Sequence, residues 1–484
     1  MSQIRRIIAG ALCVLAAAAM PVCAWQTGQS YAYDTRGRSV YAPVAYEAAQ
    51  AVYGADTGAG AFSDPADLYV GGDGQIYIAD TGNDRIVVLD EELKAVRIIE
   101  RVDTADGETT LRTPKGVFAA PDGLLYICDT GHSRVIAVDE HDRVVRRMTA
   151  DGIDALNENI AFSPEKLAVD SDRNVYVVSS SVYQGILEYD ADDRFFGFFA
   201  PNEVPVTADV LLSAFWKRLF SSTQRDALSK TLPSPYNNLT IDAEGFLYTT
   251  AENVDPSLVI KRLNSVGTNI LQAPNGGART YGDRETSYEN GREVTSRFID
   301  VCVDAEGVIC GLDAARCKAF LYDGEGELLC IFGGRGSSMG QFLGVSAVDK
   351  RGDDYLILDP RKNCLTVFRP TRYMQDVREA LRYYREGLYM ESIRSWEVVL
   401  RQNANFVLAW RSIGRACLQE GDVQKAMTLL ERGDDEYFYS LAFQEARRAF
   451  VRRSAVWVLP ALVLLCIAAA IIRRHHKKRR RSHG

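Results

Sequence analysis

Short apolar runs separated by turn residues recur along the middle of the chain and predict strands joined by tight turns. Residues 67–90 (DLYVGGDGQIYIADTGNDRIVVLD) and 116–139 (GVFAAPDGLLYICDTGHSRVIAVD) align without a gap at an offset of 49 residues. Each unit contains an alternating apolar strand, a turn with Asp-Gly, a second strand that ends in Asp, and a third strand after a tight turn. A repeat of this length indicates a repeat architecture.

Weaker copies of the unit begin at Lys166, Asn238, Asp300 and Val345, which makes six units in all. Each unit is too small to bury a core of its own. Radial packing into a closed ring buries the strand faces and removes exposed strand edges. We therefore predict a mainly β fold: a six-bladed β-propeller over residues 31–370, followed by a small α-helical module and one transmembrane helix.

The two ends of the repeat array indicate how the ring closes. Residues 365–370 (LTVFRP) supply a third strand to the last unit, after which the pattern becomes helical. Residues 46–65 resemble residues 327–342, where an outer strand leads into the next blade. We expect the N-terminal segment around 40–54 to add the outer strand of the last blade.

The tight turns carry a family resemblance. Asp80-Thr81-Gly82-Asn83-Asp84-Arg85 and Asp129-Thr130-Gly131-His132-Ser133-Arg134 share an Asp-x-Gly-x-x-Arg pattern, and Asp313 with Lys318 is a degraded copy. These residues resemble the NHL repeat family over about residues 64–370. An Asp that caps a turn and an Arg on the next strand form a structural device, so we assign them to the fold.

Residues 204–235 interrupt the repeat. Their apolar positions, including Trp216, have the spacing of a helical face and predict an inserted helix. Packing over a blade edge, a lid and a binding element all remain open. Trp216 and Phe220 are the candidate contact surface.

Residues 371–453 change to a helical period. Gly387 and Gly421 lie 34 residues apart, and Trp410–Cys417 reads W-x-x-I-G-x-x-C. The segment resembles tetratricopeptide repeats, although the first copy lacks the small residues of the usual packing site. The resemblance implies a protein-binding surface, with a plain stalk as the alternative.

The two ends of the chain predict export and membrane anchoring. Residues 1–24 contain two arginines, an apolar run and Val22-Cys23-Ala24, which is typical of a cleaved signal peptide, with an uncleaved anchor as the alternative. Residues 454–472 are uncharged and long enough to cross a bilayer. The basic tail, 473–484, favours the cytoplasmic side. We expect a single-pass cell-membrane protein with an extracytoplasmic body.

Four arginines at 447, 448, 452 and 453 weaken this charge asymmetry, but the signal peptide would already have exported the body. The tail and Arg5 with Arg6 together carry nine positive charges, so the remaining chain has a net charge of −17. Such an acidic body excludes nucleic acid as the expected partner. Seven of the ten cysteines lie in the body; they indicate core residues, with one or two disulfides left open.

Candidate chemistry is sparse. The exported body has two histidines, His132 and His141, and no metal-type His or Cys spacing, so we predict no cofactor. Polar side chains at the starts of the innermost strands could instead converge on the propeller axis. These candidate central-channel residues are Asp67, Lys115, Glu165, Lys166, Asn238 and Asp300.

These central-channel residues are compatible with two functions. Lys–carboxylate pairs would make a charge-balanced channel in a binding or scaffold protein that takes a carbohydrate, peptide or protein ligand. The domain arrangement is similar to envelope proteins of Gram-positive bacteria that accompany sugar ABC transporters, and this resemblance implies a transporter link. The alternative is a metal-dependent lactonase, since the central-channel residues resemble the Glu/Asn/Asp set of the gluconolactonase family. The family's Glu-Gly-Pro is absent, and two lysines would face the cation.

Overall fold

The structure is a computed structural model of the 484-residue chain. It describes residues 30–151, 153, 162–201, 235–251, 260–271, 280–284, 287–289 and 292–481. The predicted signal peptide and the predicted helical insertion with Trp216 and Phe220 lie outside the described residues.

Six antiparallel sheets form the blades of a β-propeller, as the repeat predicts. The first strand of each blade packs against the first strand of the next, and that of blade 6 packs against that of blade 1. From the axis outward, the strands of blades 1 to 3 are Asp67–Val70, Ile76–Asp80, Arg85–Leu89 and Ala95–Ile99; Pro114–Ala119, Leu125–Asp129, Arg134–Val138 and Val144–Met148; and Pro164–Val169, Val175–Ser179, Ile186–Tyr189 and Phe195–Phe199.

Blades 4 to 6 follow the same order, and blade 4 has three strands within the described ranges. Their strands are Tyr236–Ile241, Leu247–Ala251 and Ile260–Leu263; Phe298–Val303, Ile309–Asp313, Lys318–Tyr322 and Leu328–Gly333; and Ala347–Arg351, Asp354–Asp359, Cys364–Pro370 and Tyr46–Tyr53. Within the described ranges, three two-stranded sheets lie outside the blades: Tyr31–Tyr33 with Ser39–Tyr41, Arg101–Thr104 with Gly107–Thr110, and Ser287–Glu289 with Arg292–Val294.

The N-terminal strand closes the ring. Tyr46–Tyr53 pairs antiparallel with Cys364–Pro370, and Cys364 lies opposite Tyr53. This confirms the predicted closure, because the last blade would otherwise have an unpaired outer edge. A short helical turn, Gly54–Thr57, then leads toward blade 1.

The second strands, which the repeat predicts as apolar, are buried at every position in blades 1 to 5. Each middle strand is covered on both faces by neighbouring blades, so it needs a continuous apolar run. The buried clusters accordingly join side chains of adjacent blades, such as Ile78 of blade 1 and Leu358 of blade 6.

Residues Gln375–Gly484, together with Tyr33–Arg36, form a second compact unit. The C-terminal helices are α1 (Arg372–Arg385, which begins three residues before this unit), α2 (Tyr389–Gln402), α3 (Val407–Gln419), α4 (Val423–Arg432) and α5 (Glu436–Arg481). Consecutive helices from α2 to α5 pack against each other. Gly421 ends α3 with a φ of 83°, a left-handed conformation that favours glycine.

Within the described residues, one helix is long and apolar enough to span a membrane. It is the part of α5 from Glu436 to Arg473, and none of its most apolar window is buried in the protein. Pro460 lies inside this helix, as the sequence allows for a membrane helix.

Candidate functional site

The axis of the propeller collects polar side chains because the innermost strands carry bulges. In blades 2 to 5 the pairing register shifts by one residue near the start of the first strand. The extra residues are Lys115, Glu165, Asn237 and Ile299. A bulge re-aims the residue that follows it, and here those residues are Gly116, Lys166, Asn238 and Asp300.

Lys166 lies at the centre of this arrangement. Its ammonium donates to the carboxylate of Asp67 and lies 3.8 Å from Oδ1 of Asp300. The three side chains are 12%, 7% and 6% exposed, respectively, so water screens them little. The ammonium is therefore a fixed cation that links blades 1, 3 and 5.

Asn238 and backbone N–H groups complete the cluster. The Asn238 amide donates to Oδ1 of Asp300. The backbone N–H of Val117 donates to Oδ2 of Asp67 at 2.9 Å, and that of Val348 donates to Oδ2 of Asp300 at 2.6 Å. These bonds bring in blades 2, 4 and 6, so every blade contributes to one hydrogen-bonded axial cluster.

Asp349 is a member of the axial site that the sequence analysis missed. Its Oδ2 accepts from the backbone N–H of Val70 at 2.6 Å, which joins blade 6 to blade 1. Asp349 lies within the last repeat copy, at the position where other copies have a turn aspartate, so its sequence signal was that of a turn. Only the ring closure brings blade 6 next to blade 1 and gives this carboxylate its second role.

Burial sets the protonation of these groups. Burial would lower the pKa of Lys166, but the carboxylates of Asp300 and Asp67 raise it above its ordinary value. Burial raises the pKa of Asp300 to about 7 although Lys166 opposes the shift. Burial likewise raises the pKa of Asp349 to about 7 against two backbone hydrogen bonds. The site thus keeps a charged lysine beside carboxyls that bind protons near neutral pH.

The cavity at the axis is small. Its volume is about 30 Å³, and its polar lining consists chiefly of Asp67, Lys166, Asn238, Asp300 and Asp349. About 10–15 Å³ of such volume is enough to hold one water molecule, so the cavity has room for two or three waters and not for an organic substrate. A ligand of any size would have to contact an outer face of the ring.

Lys115 and Glu165 are not among the residues that line this cavity. As the extra residues of their bulges, they form a separate ion pair of 2.6 Å and are 41% and 28% exposed. The sequence pattern predicted both as central-channel residues, because strand alternation alone does not reveal a bulge. Gly116 marks the close approach of blades 2 and 3, since a Cβ there would lie 2.5 Å from the Glu165 carbonyl.

The NHL-type turns bind the blades to their connections. Asp80 is fully buried; it accepts from the Ser63 N–H at 2.7 Å and from Arg85 Nε at 2.8 Å. Asp129 repeats this arrangement in blade 2 with the Arg112 N–H and Arg134. Arg85, Asp80, Arg134 and Asp129 are thus inside the fold, as a structural device requires.

The degraded copy in blade 5 works differently. Lys318 does not pair with Asp313 but donates to Asp283 at 2.9 Å and to the Tyr31 hydroxyl at 2.8 Å. Tyr31 in turn donates to Asp283 at 2.6 Å. This cluster holds the N-terminal hairpin against blade 5.

Metal and thiol chemistry find little support in the described part of the chain. No group of three or more His, Cys, Asp or Glu side chains there is arranged to hold a metal ion. The seven body cysteines are free and buried. His132 Nδ1 contacts Asp129 at 2.9 Å within the turn, which is a structural position.

Comparison with known proteins agrees with the repeat and the fold. Residues 62–89 match the family model for the NHL repeat. The architecture and this repeat define a six-bladed NHL-type propeller. No curated protein matches the sequence.

Several solved structures are similar in fold. A virginiamycin B lyase from Staphylococcus aureus is 10% identical with a TM-score of 0.40, and the match covers 67% of this chain and 99% of the lyase. A gluconolactonase from Xanthomonas campestris is 12% identical with a TM-score of 0.37, and the match covers 64% of this chain and 87% of the gluconolactonase. A Bacteroides thetaiotaomicron protein of unknown function is 11% identical with a TM-score of 0.42, and the match covers 69% of this chain and 80% of that protein. Likeness at this level carries no activity over to the present chain.

Proposed function

We propose that the protein is a membrane-anchored binding or scaffold protein whose body lies outside the cytoplasm. Its propeller binds a carbohydrate, peptide or protein ligand, and its helical module contacts a protein partner as a tetratricopeptide-like surface. A link to a carbohydrate ABC transporter of a Gram-positive envelope belongs to the same proposal and rests on the resemblance of the domain arrangement.

The observation that best supports the proposal is the position of the Lys166 ammonium at the propeller axis. This ammonium lies between the carboxylates of Asp67 and Asp300, where a divalent metal would need those same oxygens. A metal-dependent hydrolase uses its cation to polarise a carbonyl and orient water. A lysine tethered in that place balances charge but leaves no open coordination position, so a metal does not fit these residues.

The size of the axial cavity supports the same conclusion. With about 30 Å³ it cannot admit a lactone ring. The hydrogen bonds of the cluster reach all six blades, which suits a group that holds the ring together. Ligand contact is then left to the outer faces and connections, as in other scaffolds where loops carry function.

The helical module offers exposed apolar side chains for a partner. Leu388 is the last residue of the turn between α1 and α2, Met390 lies in the first turn of α2, and they are 44% and 46% exposed. Exposed apolar clusters often mark protein interaction sites. We propose this turn as part of the partner-binding surface.

The alternative function is a lactonase or related hydrolase. It is favoured by one observation: Asp67, Asn238 and Asp300 converge on the axis with oxygen-bearing side chains. It requires the ammonium of Lys166 to leave the cluster when a metal binds, which would unpair two buried carboxylates.

The deciding experiment is metal analysis and lactone and ester hydrolysis with the full chain purified in mild detergent. We expect no stoichiometric divalent metal and no turnover. Asp323 is a matched control because it is a half-buried carboxyl of the same blade, away from the axial cavity, whose pKa is also raised by burial to about 7. Bound Ca²⁺ or Zn²⁺ together with turnover that is lost in Asp300→Asn, but kept in Asp323→Asn, would establish the hydrolase.

Partner binding is tested by co-purification from native membranes. We expect a specific partner to be lost when Leu388 and Met390 are both replaced by serine. The matched control replaces Val96 and Ile98, which are 55% and 40% exposed on the outer strand of blade 1. Equal recovery of the partner with both variants would contradict the assignment to the helical turn.

A further inference from the structure

Four arginines lie directly before the apolar segment of α5: Arg447, Arg448, Arg452 and Arg453. Helix α5 runs without a break from Glu436 to Arg481, so these residues continue the axis of the apolar segment 454–472. At 1.5 Å per residue, positions 447–453 cover about 10 Å before that segment. Bilayer headgroups occupy about 5–8 Å on each side of the hydrocarbon core. When the segment spans a bilayer, Arg452 and Arg453 lie in the headgroup layer, and the long side chains of Arg447 and Arg448 reach it from its outer edge.

The side chains around these arginines are those of a membrane interface. Phe450 and Trp457 are 70% and 77% exposed and lie seven residues apart, on the same side of the helix. Aromatic side chains are enriched at the membrane–water interface, and arginine extends its head toward the polar layer. Where side chains are described, only Arg448 of the four has an ion-pair partner, Glu445 at 2.9 Å.

Two other environments explain this surface less well. In bulk water, the ring of Phe450 would be exposed between charged residues, and no burial of its apolar surface would stabilise that position. A second copy of the helix would bring eight guanidinium groups together, and like charges repel in this geometry. A phosphate-rich surface satisfies both features, because guanidinium binds phosphate with paired hydrogen bonds while the aromatic rings enter the interface.

We propose that Arg447, Arg448, Arg452 and Arg453 form an arginine collar that binds the phosphate groups of anionic phospholipids. The collar binds the leaflet opposite the one that faces the basic tail, so α5 is held by headgroups at both ends. This inference rests on the membrane span and is independent of what the propeller binds. It also explains why basic residues stand on the side where they weaken the charge asymmetry of the span.

The test counts lipids that remain bound to the full chain. The protein is inserted into vesicles with equal amounts of phosphatidylglycerol and phosphatidylcholine, extracted in mild detergent, and analysed by native mass spectrometry. The variant replaces all four collar arginines by glutamine. The matched control replaces Arg382, Arg385, Arg394 and Arg401, which are four exposed arginines of α1 and α2. The tail is identical in every protein, so any difference reports the collar.

We expect the ratio of retained phosphatidylglycerol to phosphatidylcholine to fall at least fivefold in the collar variant and to stay unchanged in the control. An unchanged ratio in the collar variant would overturn the proposal. If that variant does not insert, the pair Arg452→Gln and Arg453→Gln gives the same comparison with half the charge. Efficient cross-linking of Phe450→Cys copies in pure phosphatidylcholine would also overturn it, since a second copy would then cover this surface.

Discussion

Replacing Lys166 by methionine removes the cation of the axial cluster while keeping an unbranched side chain of similar length. Asp67 and Asp300, which are 7% and 6% exposed, would then be buried carboxylates without an ammonium. Breaking a buried pair from one side costs about 3–5 kcal/mol. Each carboxylate keeps backbone N–H donors, so we expect a loss near 3 kcal/mol of the free energy of unfolding.

The loss should depend on pH. The pKa of Asp300 is already raised to about 7 with Lys166 present, and it rises further without the ammonium. At pH 8 the variant must hold Asp300 as a buried carboxylate, whereas at pH 5 Asp300 binds a proton and the cost falls. Urea denaturation of both proteins in the same detergent, at pH 8 and pH 5, measures the two differences.

Lys115→Met is the matched control. Its ion pair with Glu165 is partly exposed, so its loss should cost at most about 1 kcal/mol. If the two variants differ by less than about 1 kcal/mol at pH 8, the ammonium of Lys166 is not needed to stabilise the ring. A Lys166→Met defect as large at pH 5 as at pH 8 would show that protonation of Asp300 does not relieve the loss.

Three further predictions follow from the same contacts. The pKa of Asp349 is about 7 in the folded protein and 3.8 when unperturbed, so between about pH 4 and 7 the folded state binds one proton more than the unfolded state. The contribution of Asp349 to stability is therefore present below this pH range and is lost as the pH rises through it. Asp349→Asn should flatten the dependence of the unfolding free energy on pH in urea titrations. Deleting residues 31–60 removes the strand that pairs with Cys364–Pro370 and should cause aggregation in size-exclusion chromatography. Arg85→Gln leaves Asp80 buried without its guanidinium and should lower the unfolding free energy by about 2–4 kcal/mol in thermal or urea unfolding.

Each of these predictions has a clear failure. An Asp349→Asn protein with the pH slope of the native chain would show that another group binds the proton. A deleted chain that stays soluble and unfolds cooperatively would show that the ring closes in another way. Arg101→Gln removes an exposed pair, 64% and 55% exposed, and is the control for Arg85→Gln; equal effects would refute the structural role of the NHL-type turn.

The amino-acid sequence by itself determined the features that depend on local pattern. The repeat predicted six blades, because an Asp-Gly turn between apolar strands specifies a hairpin wherever it stands. The likeness of residues 46–65 to an outer strand predicted the N-terminal closure, which the pairing of Tyr46–Tyr53 confirms. The uncharged run 454–472 likewise predicted a helix long and apolar enough to span a membrane, which α5 contains.

The tertiary structure alone decided which polar side chains meet. Lys166 and Asp67 are 99 residues apart, and they come together because the bulged start of one strand and the start of another reach the same axis. A bulge changes the direction of one residue without any strong sequence signal, so Lys115 and Glu165 looked equivalent to the axial residues. Asp349 gained its partner from ring closure, and Lys318 found Asp283 instead of Asp313. Such contacts depend on how distant blades pack, which no short stretch of sequence encodes.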